Sequence, residues 1–592
     1  MTENHSQRVR RARPVIALAA VAFAVGAIFG ANRGGSPGLR VADHFAAAWA
    51  RGDYAAMYED IDAPSQRQVS ASEFARDYKA ALRTATSAGV RVTGRARSLP
   101  GSRIRVPVTV RTRLWGTLSL SFMLRTVSEA GQGTRIVWSR ALVFPGMRDG
   151  ESLSRRSYLP RRATLLARDG SVLAESPQGG GATLSGPTTR NSPLGNTANA
   201  VLGTVGPPPA ARRAAFESEG VPSDGEVGLS GLESALDERL RGTPGGDLLA
   251  GGRTLVSRLA RPAPPVHTTV SPAVQEAAVL ALGGQLGGIV AMKPSNGELL
   301  AVAGIGLDGL QPPGSTFKII TLTGVLAAKV ATPHTVFPYA THATLDGVKL
   351  SNANGEECGG SLELAFAVSC NSVFTPLGVK LGADRLVDTA EKFGFNSSTG
   401  LAGAPESTLP AASALQGELE IGSTAIGQGE VLATPLQMAV AAGAIAEGGH
   451  RPAPTFLPAH ARLGPAVTSS GVAHTVRRLM TLVVRAGTGV AAAIPGVVVA
   501  GKTGTAELKT PCPTSGAVGE EAEAKSEEGE RADCHSGESE ASNTDAWFTA
   551  FAPAIHPRVV VCVMLVKDGA GGDTAAPVAR QVLEAALSAA HR

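Results

Sequence analysis

Aromatic residues make up only 4% of this 592-residue chain and charged residues only 18%. The first scarcity means that its helices must pack on Ala and Leu instead of large rings, and with 43% apolar residues the chain is not a disordered polyelectrolyte. Lysine is rarer still. Of 55 basic residues 44 are Arg and 11 are Lys, so a lysine inside a motif is less often there by accident. A formal net charge of +5 is too mild for a nucleic-acid-binding surface, and no nucleic-acid partner is expected. What the chain does have, 71 Gly and 38 Pro over this length, implies several folded domains rich in loops; collagen and coiled coil do not fit.

The amino terminus carries Arg8, Arg10, Arg11 and Arg13 ahead of an uncharged run from Val15 to Ala31, just long enough to cross a bilayer with the positive end inside. The run exceeds the apolar stretch of a cleavable signal peptide and lacks a clean small-x-small site, so residues 1–13 read as a cytoplasmic tail and 14–31 as a transmembrane anchor. The rest then lies outside the cytoplasm, where cysteines can oxidise. Of five Cys, bridges Cys358 to Cys370 and Cys512 to Cys534 are predicted, with Cys562 a buried free thiol in an apolar run; spacing alone does not fix connectivity.

After the anchor, Val41, Phe45, Ala48 and Trp49 share one helix face ending at Gly52, and a second helix is expected over 54–61. Alternating stretches at 104–112, 114–122 and 135–143 predict a curved antiparallel sheet, giving a small helix-plus-sheet module over 38–147. Residues 155–265, punctuated by Gly and Pro, read as an extended spacer domain. From 266 the signals sharpen into an α/β domain reaching 592. They comprise a helix over 272–286, a hairpin across Ser295-Asn296-Gly297, a helix from Ser315, a helical insert, and apolar strands at 497–500, 546–552 and 559–566. A polar tract, 509–543, interrupts it with nine acids between Glu520 and Glu540 and reads as a solvated loop.

Three groupings can carry chemistry. Ser315 and Lys318, three apart, share a helix face, so the amine can reach the hydroxyl one turn away. Taken alone this is a serine cap before an exposed lysine, and roughly one Ser-x-x-Lys pair is expected by chance. Ser369-Cys370-Asn371 places a hydroxyl and an amide two residues apart in the apolar stretch 364–377; its bland reading is a helix-end cap. Lys502-Thr503-Gly504-Thr505 puts a cation and hydroxyls on a strand, with a glycine that lets a ligand approach the backbone. Lys-Thr-Gly is expected by chance only about a tenth of a time. His267, His334, His342, His450, His535 and His556 are scattered, and neither a metal nor another cofactor is expected.

Together and in this order the three groupings resemble the signature of penicillin-binding proteins and serine β-lactamases. The runs Arg161-Arg162-Ala163-Thr164 to Leu173-Ala174 and Gly228-Leu229-Ser230-Gly231-Leu232-Glu233 to Gly245 look like the spacer domain of the class B enzymes. Gly427-Gln428-Gly429-Glu430 to Gln437 looks like their transpeptidase domain, and the early module resembles the nuclear-transport-factor-like domain of actinobacterial members. Arg162 stands where the first spacer motif usually has glycine, and the acidic insertion is unusual. The resemblance implies a multidomain α+β protein whose last domain, an antiparallel sheet with helices, is a serine transpeptidase acting on peptidoglycan stem peptides and acylated by β-lactams. In it Ser315 is the nucleophile, Lys318 the base and Ser369 the proton relay. Asn371 binds the substrate amide, Lys502, Thr503 and Thr505 hold its carboxylate beside Gly504, and the N–H groups of Ser315 and Thr505 form the oxyanion hole. Division or elongation machinery would be its partner. The alternatives on the same fold are a β-lactam hydrolase, a D,D-carboxypeptidase, or a catalytically silent tethered scaffold. Hydrolysis needs a glutamate-activated water, and Glu418, Glu420 and Glu430, which lie between the second and third groupings, are not in such a loop pattern.

Overall fold

The computed structural model describes residues 36–129, 131, 133–176, 187–507, 510–511, 534–535 and 544–589. The expected anchor, the Cys512 to Cys534 bridge and most of the acidic insertion lie outside the described residues. Among the described residues no helix is long and apolar enough to cross a membrane.

The chain divides into two compact units: residues 1–160 with 208–225 and 242–262, and residues 161–207 with 226–241 and 263–592. The stretch 155–265 is thus shared between them. In the first unit, α1 (Pro37–Arg51) starts with a proline in its first turn, buries Ala42, Phe45, Ala46, Ala48 and Trp49, and stops at Gly52. Two short helices, α2 (Tyr54–Glu59) and α3 (Ala63–Gln68), follow, and then α4 (Ala71–Thr84), capped by Ser70 and burying Phe74, Tyr78 and Ala81. Strands β1 (Ser87–Val92), β2 (Arg97–Leu99), β3 (Arg103–Thr112), β4 (Gly116–Glu129) and β5 (Gly133–Ile136) form one antiparallel sheet. Along β3 the buried residues are Ile104, Val106, Val108, Val110 and Thr112, the period of two expected of a sheet with one covered face. Phe45, Trp49 and Phe122 meet edge to face in the core. The stretch 135–143 is strand only to Ile136 and ends in a 3-10 turn over Arg140–Val143, and α3 and α4 were not expected.

The second unit holds the predicted hairpin. After α5 (Pro272–Leu282), β9 (Gly287–Met292) pairs antiparallel with β10 (Leu299–Gly304), labels β6 (Leu153–Tyr158), β7 (Gly245–Ala250) and β8 (Arg253–Arg258) belonging to a small sheet of the first unit. The late strands are β11 (Ala500–Glu507), β12 (Thr544–Ala552) and β13 (Val559–Leu565), and the antiparallel sheet runs β10-β9-β13-β12-β11. Helices cover both of its faces. Val559, Val561, Val563 and Leu565 join α5 and α11 (Ala575–Ala589) on one side. Val560, Cys562 and Met564 join the other core with Phe317, Ile319, and Met438 and Ala439 of α9 (Pro435–Ala446). Burial on both faces explains why β13 reads as an unbroken apolar run. The expected strand at 497–500 is displaced: the strand begins at Ala500 and runs through the Lys-Thr-Gly grouping. The helix expected over 272–286 stops at Leu282, where Gly283 adopts a left-handed conformation.

The two runs assigned to the spacer meet through charge. Arg162, buried, binds Glu233 at 2.6 Å and Asp237 at 2.7 Å, and Arg190 binds the second oxygen of Glu233 at 2.8 Å. Arg162, a departure by sequence, is therefore an anchor of this buried cluster.

Candidate active site

The three groupings come from distant parts of the chain and converge in the second unit. Gly314–Phe317 forms one 3-10 turn that runs directly into α6 (Lys318–Ala327), so the helix expected from Ser315 begins as a tighter turn. The Gly314 N–H donates to the Gly427 carbonyl at 3.0 Å, so the run Gly427–Glu430 braces the segment carrying Ser315. Ser315 is half-buried and Lys318 fully buried.

The stretch 364–377, expected to be one helix, is two: α7 (Leu362–Ala367) and α8 (Asn371–Leu381). Ser369 lies at the break with φ 62°, a left-handed conformation that costs a non-glycine residue roughly 1 kcal/mol or more. The next residue, Cys370, is bridged to Cys358 as predicted, while Cys562 is a buried free thiol. Asn371 opens α8.

One hydroxyl ties these parts together. Lys318 Nζ donates to the Ser369 carbonyl at 2.7 Å and to Asn371 Oδ1 at 2.6 Å, and lies 3.4 Å from Ser369 Oγ. From the other side Lys502 Nζ donates to Ser369 Oγ at 2.8 Å and to the Thr503 carbonyl at 3.0 Å. Asn371 Nδ2 donates to the Ser351 carbonyl at 2.8 Å, so both ends of this amide are engaged, and contact with a substrate amide requires one of these bonds to exchange. Two N–H bonds and one hydroxyl contact are what a neutral Lys318 amine, with two protons and a lone pair, can satisfy. Burial holds Lys318 well below the usual lysine range, and the positive charge of Lys502 lowers it further. Burial alone lowers Lys502 to about 7. Each amine lies over an aromatic ring, Lys318 5.5 Å from the Phe374 centroid and Lys502 5.7 Å from that of Phe366, where the ring faces partly replace lost water.

Gly504 lets the motif strand reach the turn that carries Ser315. A Cβ at this position would stand 2.7 Å from the Pro313 carbonyl oxygen and 3.0 Å from both Thr316 Cγ2 and Trp547 Cβ. Thr503 and Thr505, two apart, share the other face of β11. Sequence reasoning missed two neighbours. Thr488, after α10 (Ser470–Ala486), lies 2.6 Å from Thr503 Oγ1, and the Gly571 N–H donates to Thr505 Oγ1 at 3.4 Å. Neither belongs to a recognisable pattern. Of the acids considered for water activation, Glu420 accepts the N–H groups of Gln416 at 2.7 Å and Gly417 at 3.0 Å as a helix cap. Among the described residues no His, Cys, Asp and Glu cluster could hold a metal ion.

Residues 287–584, half of the chain, match the penicillin binding protein transpeptidase domain. The chain belongs to the penicillin-binding protein transpeptidase family. Residues 172–250 match the penicillin-binding protein dimerisation domain, and 39–151 the NTF2-like N-terminal transpeptidase domain. This penicillin-binding protein is therefore a multidomain α+β chain with an NTF2-like domain ahead of its transpeptidase domain. Peptidoglycan D,D-transpeptidase PbpA of Mycobacterium tuberculosis is 33% identical over 387 residues, 54% of this chain and 72% of that relative. PbpA of Mycolicibacterium smegmatis is 31% identical over 430 residues, 60% of this chain and 79% of the relative. Among solved structures, the D,D-transpeptidase domain of a peptidoglycan glycosyltransferase from Eggerthella lenta superposes with TM-score 0.54 at 31% identity, covering 72% of this chain and 98% of that one. Penicillin-binding protein A from M. tuberculosis, as a ceftriaxone acyl-enzyme complex, gives TM-score 0.54 at 26% identity, covering 73% of this chain and 99% of that one.

Proposed function

We propose that the chain is a peptidoglycan D,D-transpeptidase that crosslinks stem peptides through a Ser315 acyl-enzyme and is acylated by β-lactams. The observation that carries this reading is the Ser369 hydroxyl standing between two buried amines, 3.4 Å from Lys318 and 2.8 Å from Lys502. Two positive charges so close are disfavoured, and one proton shared between the lysines is the stable state. Lys318 is then neutral and able to take a proton, while Lys502 keeps the charge that a substrate carboxylate needs.

In this mechanism Ser315 Oγ attacks the carbonyl carbon between two terminal D-alanines and gives its proton to Lys318. The N–H groups of Ser315 and Thr505 hold the oxyanion, a contribution of about 3 kcal/mol per donor in comparable sites. The proton passes from Lys318 through Ser369 to the departing D-alanine amine as the peptide bond breaks. An amine of a neighbouring stem attacks the ester carbonyl, and Lys318 takes its proton and passes it to Ser315 Oγ as the ester bond breaks, which restores Ser315. Thr503, Gly504 and Thr505 with Lys502 bind the terminal carboxylate. Asn371 keeps Lys318 oriented and exchanges one hydrogen bond for the substrate amide.

The uncharged run at 14–31 anchors the chain to the cytoplasmic membrane with the catalytic domain outside, a topology supported by the oxidised Cys358 and Cys370 pair. Division or elongation machinery is the expected assembly partner. The test is covalent labelling. The chain treated with a fluorescent penicillin should gain one adduct by intact mass, on the peptide containing Ser315, and Ser315→Ala should gain none. Label on the Ser315→Ala protein refutes the assignment, and penicillin turnover above about 1 per second favours the hydrolase instead.

A further inference from the structure

The carboxylate-binding face of β11 has a hydroxyl partner outside the three groupings. Thr488 follows the end of α10, and its N–H donates to the Ala367 carbonyl at 3.1 Å, which holds it beside the segment leading to Ser369. Its hydroxyl has two acceptors in reach, Thr503 Oγ1 at 2.6 Å and the Ala367 carbonyl at 3.5 Å. The first is a short, strong O–H···O distance and the second lies at the limit of a hydrogen bond. Either hydroxyl can donate across the short pair, and an anion arriving at Thr503 favours the arrangement in which Thr488 donates to Thr503 Oγ1, since the Ala367 contact given up is the weaker one.

That arrangement frees the proton of Thr503. In it Thr503 Oγ1 accepts from Thr488 and, at 3.5 Å, from Lys502 Nζ. Among the described residues no acceptor then takes the Thr503 proton. Thr505, on the same strand face, accepts the Gly571 N–H at 3.4 Å and keeps its own proton free in the same way. The loop holding Gly571 lies flush on the strand, since a Cβ at Gly571 would overlap the Gly504 carbonyl and one at Gly572 would overlap that of Thr488. Two uncommitted hydroxyl protons beside the Lys502 ammonium make a receptor for one carboxylate.

We propose that Thr488 is a positioning residue that directs the Thr503 hydroxyl proton toward the substrate's carboxylate, so that it selects for the anionic end of the donor peptide without touching the reacting atoms. The inference rests on the transpeptidase reading above and deepens it.

The experiment compares acylation of the full chain by a penicillin carrying a free carboxylate and by its methyl ester, in Thr488→Val, Thr488→Ser and the unaltered protein, with thermal unfolding of each. Valine keeps the shape and removes the hydroxyl; Thr488→Ala is the second variant should valine not fold. The expected result is a tenfold or greater loss in the acylation constant of the acid, carried by weaker binding instead of a slower chemical step. The ester should react within twofold of its original rate, and serine should restore the acid. Equal losses for acid and ester, no loss for either, or failure of serine to rescue would each overturn the proposal. Failure of the unaltered protein to react with either compound would overturn this inference and the acyl-enzyme reading together.

Discussion

Acylation by β-lactams should have an alkaline limit set by Lys502. Burial puts this lysine at about 7, and the mechanism needs it charged to hold the carboxylate while Lys318 is neutral. As pH rises through 7 the ammonium of the free enzyme is lost. At pH 8.5 about one molecule in 30 retains it, so the second-order acylation constant should fall about 30-fold from its value near pH 6. On the acid side the constant should fall as Lys318 takes a proton, giving a bell. The assay is the rate of fluorescent-penicillin labelling at limiting concentration between pH 5 and 9.5. Lys502→Arg separates the two limbs, because a guanidinium stays charged throughout this range. Its absolute rate should be lower, since the planar group does not reproduce the bond to Ser369, but its alkaline limb should vanish. A flat profile from pH 6.5 to 9 in the unaltered protein, or an unchanged alkaline limb in Lys502→Arg, would refute the assignment of charge between the two lysines.

Four further outcomes follow from particular contacts. Lys502→Met should abolish acylation yet raise stability by about 2 kcal/mol at pH 6, within an upper bound of about 5 kcal/mol set by the lowered pKa; the folded-state value lies below the unfolded one, so the gain is full below pH 7 and disappears toward pH 10, checked by denaturant unfolding at both ends. Gly504→Ala should reduce labelling at least 100-fold with a modest loss of melting temperature, because the added methyl drives β11 from the Pro313 carbonyl. Arg162→Ala should cost about 3 kcal/mol, measured by urea unfolding, by leaving buried Glu233 with Arg190 alone and Asp237 with only the longer 3.6 Å contact to Arg241. Replacing Cys358 and Cys370 together by alanine should cost about 3 kcal/mol, from the freed loop of 12 residues, and should slow labelling because Cys370 lies between Ser369 and Asn371.

The site was more legible than the elements that hold it. Scarce lysine made Lys502 stand out, and the helical spacing of Ser315 and Lys318 survives although the first turn is 3-10. The strand boundary near Lys502 was misread because Val497 to Val499 is the more β-prone run, whereas Gly, Lys and Thr are held in β11 by pairing with β12. The break at Ser369 was hidden because both flanking segments are apolar and helical, and only tertiary contacts, the Cys358 bridge and two lysine amines, stabilise its left-handed backbone. Thr488 carries no local mark at all. Its position opposite Thr503 is a product of where α10 ends, which no pattern within the segment records.

The sheet order has a consequence for synthesis. β9, at residues 287–292, finds its second neighbour in β13, which ends at Leu565, and β11 reaches the sheet only through β12. A polypeptide still emerging from the ribosome has already delivered Ser315 and Ser369, yet its hairpin shows a bare edge until residues 559–565 arrive. The domain therefore cannot form piecemeal from its amino end. A premature stop before residue 559 should silence it as completely as loss of Ser315, and should leave an aggregation-prone product.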